Sequence, residues 1–595
     1  MPSIRLDASW EYVMNEAVAR HLSFGKDIIF TYGPYASVST VSYDPATARM
    51  MMGGSLFLGI CYAVLFLTLA RKARVWLVLA FLAYLAAFLY SREALLFSYP
   101  VLLVFCAIRF AEKEDNAFSL PALIWTALAV APLGLLPLIK GTYLILAGIT
   151  YAGLFVYLLC RRRLVAAFTV LLCPPAACIG FWSLSGQAIG NLPRFFASLA
   201  PIVSGYTEAM GSNLGSNMEI AAYLAAAAAI LVSIVTTQVI RGRARVVLFS
   251  YMGCALFLVF KGGFVRHDSH ASIAGCFIVL AALISGLLFF DSKLVVALFL
   301  SLLTFLFIAE IHSVNSVLDN LRRVYLDPWS RCFPLSRDAP SIALEYDRSL
   351  MNIRRKAPVP QLQGSVDIYP TDQSAILASG NRWNPRPMFQ SYSAYVPSLL
   401  EINARHLRGD DAPDNVLFSI QPIDERLPSL EDGLSWAALL DNYTLTGFGK
   451  DLASLRRNPS IRSAGKFTAV DDAACQTGKP VAIPQSDSPL FARIDLRPTL
   501  LGKIVGAAFK YPKLAITVKL ANGSARTYRV VANMMRTDFL LSPLVENTAD
   551  FAALMRADGA HLRSNKVESM MITSESGGGL LWEGTYSLKL QAYGY

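Results

Sequence analysis

Charge is what this sequence has least of: 16% of its 595 residues are Asp, Glu, Lys or Arg, while 54% are hydrophobic and the mean hydropathy is positive. Soluble domains carry about 25% charged residues, so a wholly aqueous fold is excluded and a bilayer must replace water over much of the chain. Catalytic signatures are missing as well. There is no P-loop, no paired Cys-x-x-Cys, no His-Glu-x-x-His and no nucleophile elbow, which removes the common soluble hydrolase classes. The net charge of +11 does not indicate nucleic acid, because the basic residues sit in short clusters between apolar runs rather than in one stripe. Cysteine is sparse and mostly apolar in setting. Seven of the nine (Cys61, Cys106, Cys160, Cys173, Cys178, Cys254, Cys276) lie within hydrophobic runs and act as small hydrophobes. Cys332 and Cys475 lie in the polar half, where they either pair, if that half is extracytoplasmic, or stay reduced.

What is abundant is the long apolar run. Segments near 51–70, 75–90, 95–110, 119–139, 142–160, 165–184, 219–240, 246–262, 271–290 and 294–312 each approach the roughly 20 residues that cross the hydrocarbon core as a helix. Every second connector is rich in Lys or Arg: 71–74, 109–115, 161–163, 241–245 and 291–293. Basic loops stay in the cytoplasm, so the other connectors, residues 1–50 and everything after about 313 are expected on the outer side, the periplasm of a cell with two membranes. No apolar segment precedes residues 1–50 to carry them across. Either the first hairpin translocates this short tail or a helix encoded upstream does so.

Four regions follow: 1–50, an external loop with an amphipathic helix; 51–312, about ten transmembrane helices; 313–477, a mixed α/β extracytoplasmic region; and 478–595, a β-rich domain of sandwich or jelly-roll type. In the first, Trp10, Val13, Met14, Ala17, Val18 and Leu22 recur at helical spacing, with Glu11, Asn15 and Arg20 opposite. Such a helix lies on the membrane surface or packs on the polar domain. In the last, residues 514–520 alternate, Asn522-Gly523 gives a hairpin turn and 527–531 returns, with further strands near 491–496, 567–572 and 586–591.

Charges beside hydrocarbon are costly and draw attention to themselves. Arg92 and Glu93 are wedged between two spans and either neutralise each other or present Arg92 to a lipid phosphate. Lys140 stands in a tight turn between spans, as a helix anchor or a second phosphate ligand. The densest run, Lys261-Gly262-Gly263-Phe264-Val265-Arg266-His267-Asp268-Ser269-His270, suits a phosphosugar: Lys261, Arg266 and His270 to bind it, His267 and Asp268 to handle a proton. Its i,i+3 histidines make a thin metal signature, and no metal ligands are assigned. Trp383, Tyr392 and Tyr395 lie among amides and carboxylates, a mix found in carbohydrate-contacting surfaces and equally in the core of a small domain.

The N-terminal segment carries a resemblance. Asp7 at the start of the first external loop, the helix after it, then Gly25-Lys26-Asp27 and Tyr32-Gly33-Pro34 before the next span look like the first loop of GT-C-type glycosyltransferases, among them the protein O-mannosyltransferases and lipid A aminoarabinose transferases. The segments at 30–34, 264–268 and 383–395 also resemble a group of bacterial multi-spanning proteins with no established activity. The first resemblance implies a GT-C-like membrane domain in which Asp7, with Glu11 or Glu16 as substitutes, acts near the acceptor. The expectation is a bacterial inner-membrane enzyme with Asp7, Asp268, His267 and Glu93 as catalytic residues. It would move a sugar from a polyprenyl-phosphate donor to an envelope glycan, lipid or protein, with room for a divalent cation (Mg or Mn). A polysaccharide transport or polymerisation component and a non-catalytic envelope scaffold are the alternatives.

Overall fold

The computed structural model describes residues 1–111, 120–312, 317–326, 341–459, 465–575 and 577–594. They form two compact units, one of residues 32–189 and 212–345, the other of 1–31, 190–211 and 346–595. Cys332, half of the suggested disulfide, lies outside the described residues, and Cys475 is buried in the second unit.

The first unit is a helical bundle with nine helices, among the described residues, long and apolar enough to span a bilayer: Ala48–Ala70, Arg92–Ala111, Leu120–Ile139, Gly141–Cys160, Leu164–Leu184, Asn217–Thr236, Gly242–Phe264, Ala271–Leu288 and Ser292–Ile311. Their hydrophobicity does not all point inward. Leu56, Leu172, Val246 and Phe299 are exposed, and only 28% of the first span is buried, against 89% of Ala271–Leu288 at the centre. Such an apolar exterior is unstable in water and at home in lipid, so this is a multi-pass membrane protein.

The run expected at 75–90 forms the shorter helix Val75–Phe88, ending in a π-helical turn at Tyr84–Phe88. At about 1.5 Å per residue it falls short of the roughly 30 Å core. The backbone its last turn releases is satisfied by a side chain, as hydrocarbon requires: Asn320 donates to the Ala87 carbonyl. The third long span is also broken, into Leu120–Val130 and Pro132–Ile139, where Pro132 can take a first-turn position because it has no amide to lose. Gly134 then packs so closely on the backbone of Pro174 and Cys178 that any Cβ would collide with it.

The second unit has two parts. A five-stranded mixed sheet runs in the order Arg382–Trp383, Ser365–Tyr369, Asn415–Phe418, Leu452–Arg457, Tyr443–Gly449. Beyond it lie two antiparallel four-stranded sheets. One comprises Phe539–Ser542, Leu490–Asp495, Thr585–Gly594 and Lys466–Gln476, the other Ala525–Val530, Leu514–Leu520, Val567–Ser574 and Val481–Ala482. Alternation explains the pairing. Leu490, Ala492 and Ile494 from one sheet enter the same core as Leu514, Ile516, Val518, Met570 and Ile572 from the other. The Asn522-Gly523 turn closes the 514–530 hairpin with Lys519 opposite Ala525, Gly523 supplying φ +81°.

The N-terminal helix, Leu6–Ala19, packs on this unit. Ser9 Oγ donates to Thr371 O, Ser374 N–H donates back to Ser9 Oγ, and Trp10 and Phe389 both pack on Phe30. Of the two readings of its amphipathic face, packing on the polar domain is the one found. Asn15, placed on the polar face from sequence, is buried.

Candidate functional site

The bundle has two chemically distinct ends. At one, the arginine-rich connectors meet: Arg109 donates to Leu69 O at 2.9 Å, Arg161 to Ala111 O at 3.2 Å, and the Arg74 and Arg163 guanidinium groups lie over Phe290 and Phe110. Each is a cation closing helix-end carbonyls or an aromatic face, the ordinary work of such residues.

The other end collects carboxylates, histidines and four further cations. Glu93 opens the helix Arg92–Ala111, and Lys140 stands between the spans Leu120–Ile139 and Gly141–Cys160. Lys140 Nζ donates to Glu93 Oε1 at 2.6 Å, Tyr32 OH donates to the same oxygen at 3.2 Å, and the Lys140 ammonium sits 4.8 Å from the Tyr32 ring centroid. Arg92 donates to the neutral Ser55 hydroxyl at 2.9 Å, and among the described residues it forms no ion pair with a carboxylate. His270 lies within electrostatic reach of Glu93, since Ala271–Leu288 packs along Arg92–Ala111.

The connector 265–270 is a tight turn built around one carboxylate. Asp268 Oδ2 accepts from Arg266 Nε at 2.9 Å, and its Oδ1 accepts from His270 N at 3.0 Å and lies 2.6 Å from His270 Nδ1. Partial burial acts to raise the Asp268 pKa, but the bonds to His270 and the charge of Arg266 outweigh it and hold the group down at about 2. An acid that weak in its conjugate base is a poor proton acceptor at neutral pH. It is a good orienting group, because a hydrogen bond at His270 Nδ1 leaves Nε2 as the reactive nitrogen. His270, whose side chain is 39% exposed, meets Asp268 through Nδ1 rather than through Nε2.

His267 is elsewhere in character. It is 1% exposed, its Nε2 is 3.1 Å from Glu219 Oε2, and the other oxygen of Glu219 is 2.8 Å from His312 Nε2. Sequence alone does not single out Glu219 and His312. The signal was there: Ser216-x-x-Glu219 is a capping box that starts a span with a buried acid, and His312 ends the last span in a chain with only six histidines. Lys261 belongs to the last turn of Gly242–Phe264, at this same end.

The remaining sequence candidates belong to the second unit. Asp7 is exposed in the first turn of its helix and accepts from Trp10 Nε1 at 3.0 Å. Tyr392 and Tyr395 are buried in the core that includes both four-stranded sheets, so they present no ring face to a sugar. Trp383 is buried too, beneath the Arg20 guanidinium, but it edges a cavity of about 580 Å³ with Arg382, Asp410, Asp414 and Arg457. A larger cavity of about 760 Å³ holds Glu208, Arg493, Arg497, Lys589 and the paired rings of Tyr511 and Trp582.

No family model matches the chain, and comparison with curated proteins and with solved structures gives no significant match.

Proposed function

We propose that the protein is a membrane glycosyltransferase that moves a sugar from a polyprenyl-phosphate donor to an envelope acceptor at the Glu93 end of its bundle. The observation that carries this reading is convergence. Arg92, Glu93 and Lys140, from separate turns of the chain, share one end with Lys261 and the Arg266–Asp268–His270 turn, while the arginine connectors share the other. The positive-inside rule assigns the arginine end to the cytoplasm and the site, with the C-terminal domain, to the extracytoplasmic side.

In this account Arg92 receives the donor phosphate, being a guanidinium that no carboxylate neutralises among the described residues, and Lys140 and Arg266 add positive potential. The acceptor hydroxyl oxygen attacks the anomeric carbon. Its proton passes to His270 Nε2, the anomeric C–O bond breaks, and the phosphate leaves with the electron pair. Asp268 orients His270, and Glu93 fixes Lys140. Asp7 matches the loop carboxylate of the GT-C pattern and would act near the acceptor.

The test is transfer of label from polyprenyl-phosphate sugars by the protein in proteoliposomes, alongside His270→Ala. Product from the wild type and a loss of about 10²-fold or more in the variant support the reading. Equal turnover by both rejects His270 as the base. Vectorial movement of a lipid-linked glycan without label transfer identifies a transporter instead.

A further inference from the structure

We infer that Glu219, His267 and His312 form a binding site for one divalent transition metal, zinc foremost, that ties three chain segments together at the polar end of the bundle. Each of the three offers one ligand atom, and these atoms lie within 4.8 Å of one another. Two contacts are already close, with Glu219 Oε1 2.8 Å from His312 Nε2 and Glu219 Oε2 3.1 Å from His267 Nε2. Zinc holds nitrogen and oxygen at about 2.0–2.2 Å in a tetrahedron, which sets its ligands roughly 3.3 Å apart. Admitting the ion takes opening these two contacts by a few tenths of an ångström and closing the widest separation in the trio, at most 4.8 Å, toward the same value.

The donor set decides the class of metal. Two imidazoles and one carboxylate are borderline ligands suited to zinc and its neighbours, whereas magnesium and calcium take oxygen almost exclusively. Three protein ligands leave a fourth position for water.

The site is built rather than incidental. Glu219 is held by its capping box, Oε2 accepting from Ser216 N at 2.7 Å. His267 is fixed by a short parallel pairing, Ser212 with Arg266 and Asn213 with His267, and by the edge of Phe264 at 5.1 Å. His312 caps the last span. Gly215 passes so close that a Cβ there would strike both the His267 ring and the Glu219 carboxylate. Burial adds an energetic reason: the Glu219 side chain is 0% exposed and that of His267 2%. A cation satisfies a buried carboxylate, a buried imidazole and a partly buried one at once.

The ligands come from the start of Asn217–Thr236, the 265–270 connector and the end of Ser292–Ile311. A bound ion therefore pins the turn that carries Arg266, Asp268 and His270. The inference does not depend on sugar transfer, since its readout is metal content.

The experiment measures metal in the full-length protein, purified in detergent without chelator, by mass spectrometry of the elements. We expect about one zinc per chain that survives dialysis. Glu219→Gln and His312→Ala are expected to lose it, His312→Cys to restore it through a thiolate, and His561→Ala, in the second unit, to keep it. Cobalt substitution should give the visible bands of a tetrahedral site. Should the first two variants not fold, the wild-type metal content and cobalt spectrum decide the matter. Wild-type protein that carries no zinc and takes up none on titration overturns the inference, as does full zinc content in folded Glu219→Gln or His312→Ala.

Discussion

Lys140 Nζ lies 2.6 Å from Glu93 Oε1 at the end of the bundle opposite the arginine connectors, and neither side chain is more than about one-fifth exposed. Removing one partner of such a pair strands the other charge beside hydrocarbon. Because the pair is not wholly buried, the cost should fall near the low end of the range for buried pairs, roughly 3 kcal/mol. Lys140→Met should therefore lower unfolding stability in detergent by about that amount, and adding Glu93→Gln to it should recover part of the loss. Additive losses would show that the two charges do not act as a pair.

Asp268 makes a different prediction because its pKa is depressed. Its stabilising contribution is complete above the ordinary carboxyl value and disappears only as the pH falls toward about 2. Asp268→Asn should cost less stability at about pH 3 than at about pH 5. An equal loss at those two values would mean that another group carries the effect. Transfer activity in Asp268→Asn should fall less than in His270→Ala, as expected of an orienting residue.

In the second unit the sign reverses. Glu431 and Asp432 are buried, and desolvation pushes them up to about 7 and about 6, despite Arg426 beside the first and Arg386 beside the second. Arg386 must divide its charge between Asp367 at 2.8 Å and Asp432 at 3.5 Å, so Asp432 is not fully compensated. The folded state then holds extra protons between about pH 4 and about pH 7, and stability declines as pH rises through that window. Thermal unfolding of the whole protein should show the second unit melting higher near pH 5 than near pH 8, with Glu431→Gln flattening the slope. An unchanged slope would place the titration elsewhere.

The same network sets a mutational cost. Arg386 is 0% exposed, donates to Asp367, to the carbonyls of Ile368 and Pro370 and to Ser391, and lies 3.5 Å from the Tyr369 ring centroid. Arg386→Met should destabilise the second unit by about 3–5 kcal/mol, read as a fall in its unfolding midpoint. A cost under about 1 kcal/mol would mean that the network is replaceable by packing.

Much of the bundle is legible in the sequence because lipid imposes a simple rule, a continuous apolar run for each span. The expected run at 142–160 is the helix Gly141–Cys160, and 271–290 is Ala271–Leu288. The hairpin around Gly523 is equally legible from alternation and one turn dipeptide. The division of the chain into units is not, because it rests on non-local contacts. Residues 190–211 read as a loop between spans, yet Arg426 and Arg529 donate to the Ala209 carbonyl and Asn533 Nδ2 to Glu208 at 2.6 Å, which makes this segment part of the second unit. For the site, composition singled out Arg92, Glu93, Lys140 and 266–270, whereas Glu219 and His312 pass for ordinary span ends until folding places them against His267.

The most direct test is binding of polyprenyl phosphate, the leaving group common to every donor in this account, measured by native mass spectrometry on the purified full-length protein. The account predicts one retained lipid per chain and at least a tenfold weaker occupancy in Arg92→Ala, equivalent to about 1.4 kcal/mol. A wild type that retains none, or an Arg92→Ala variant that retains as much, would contradict it.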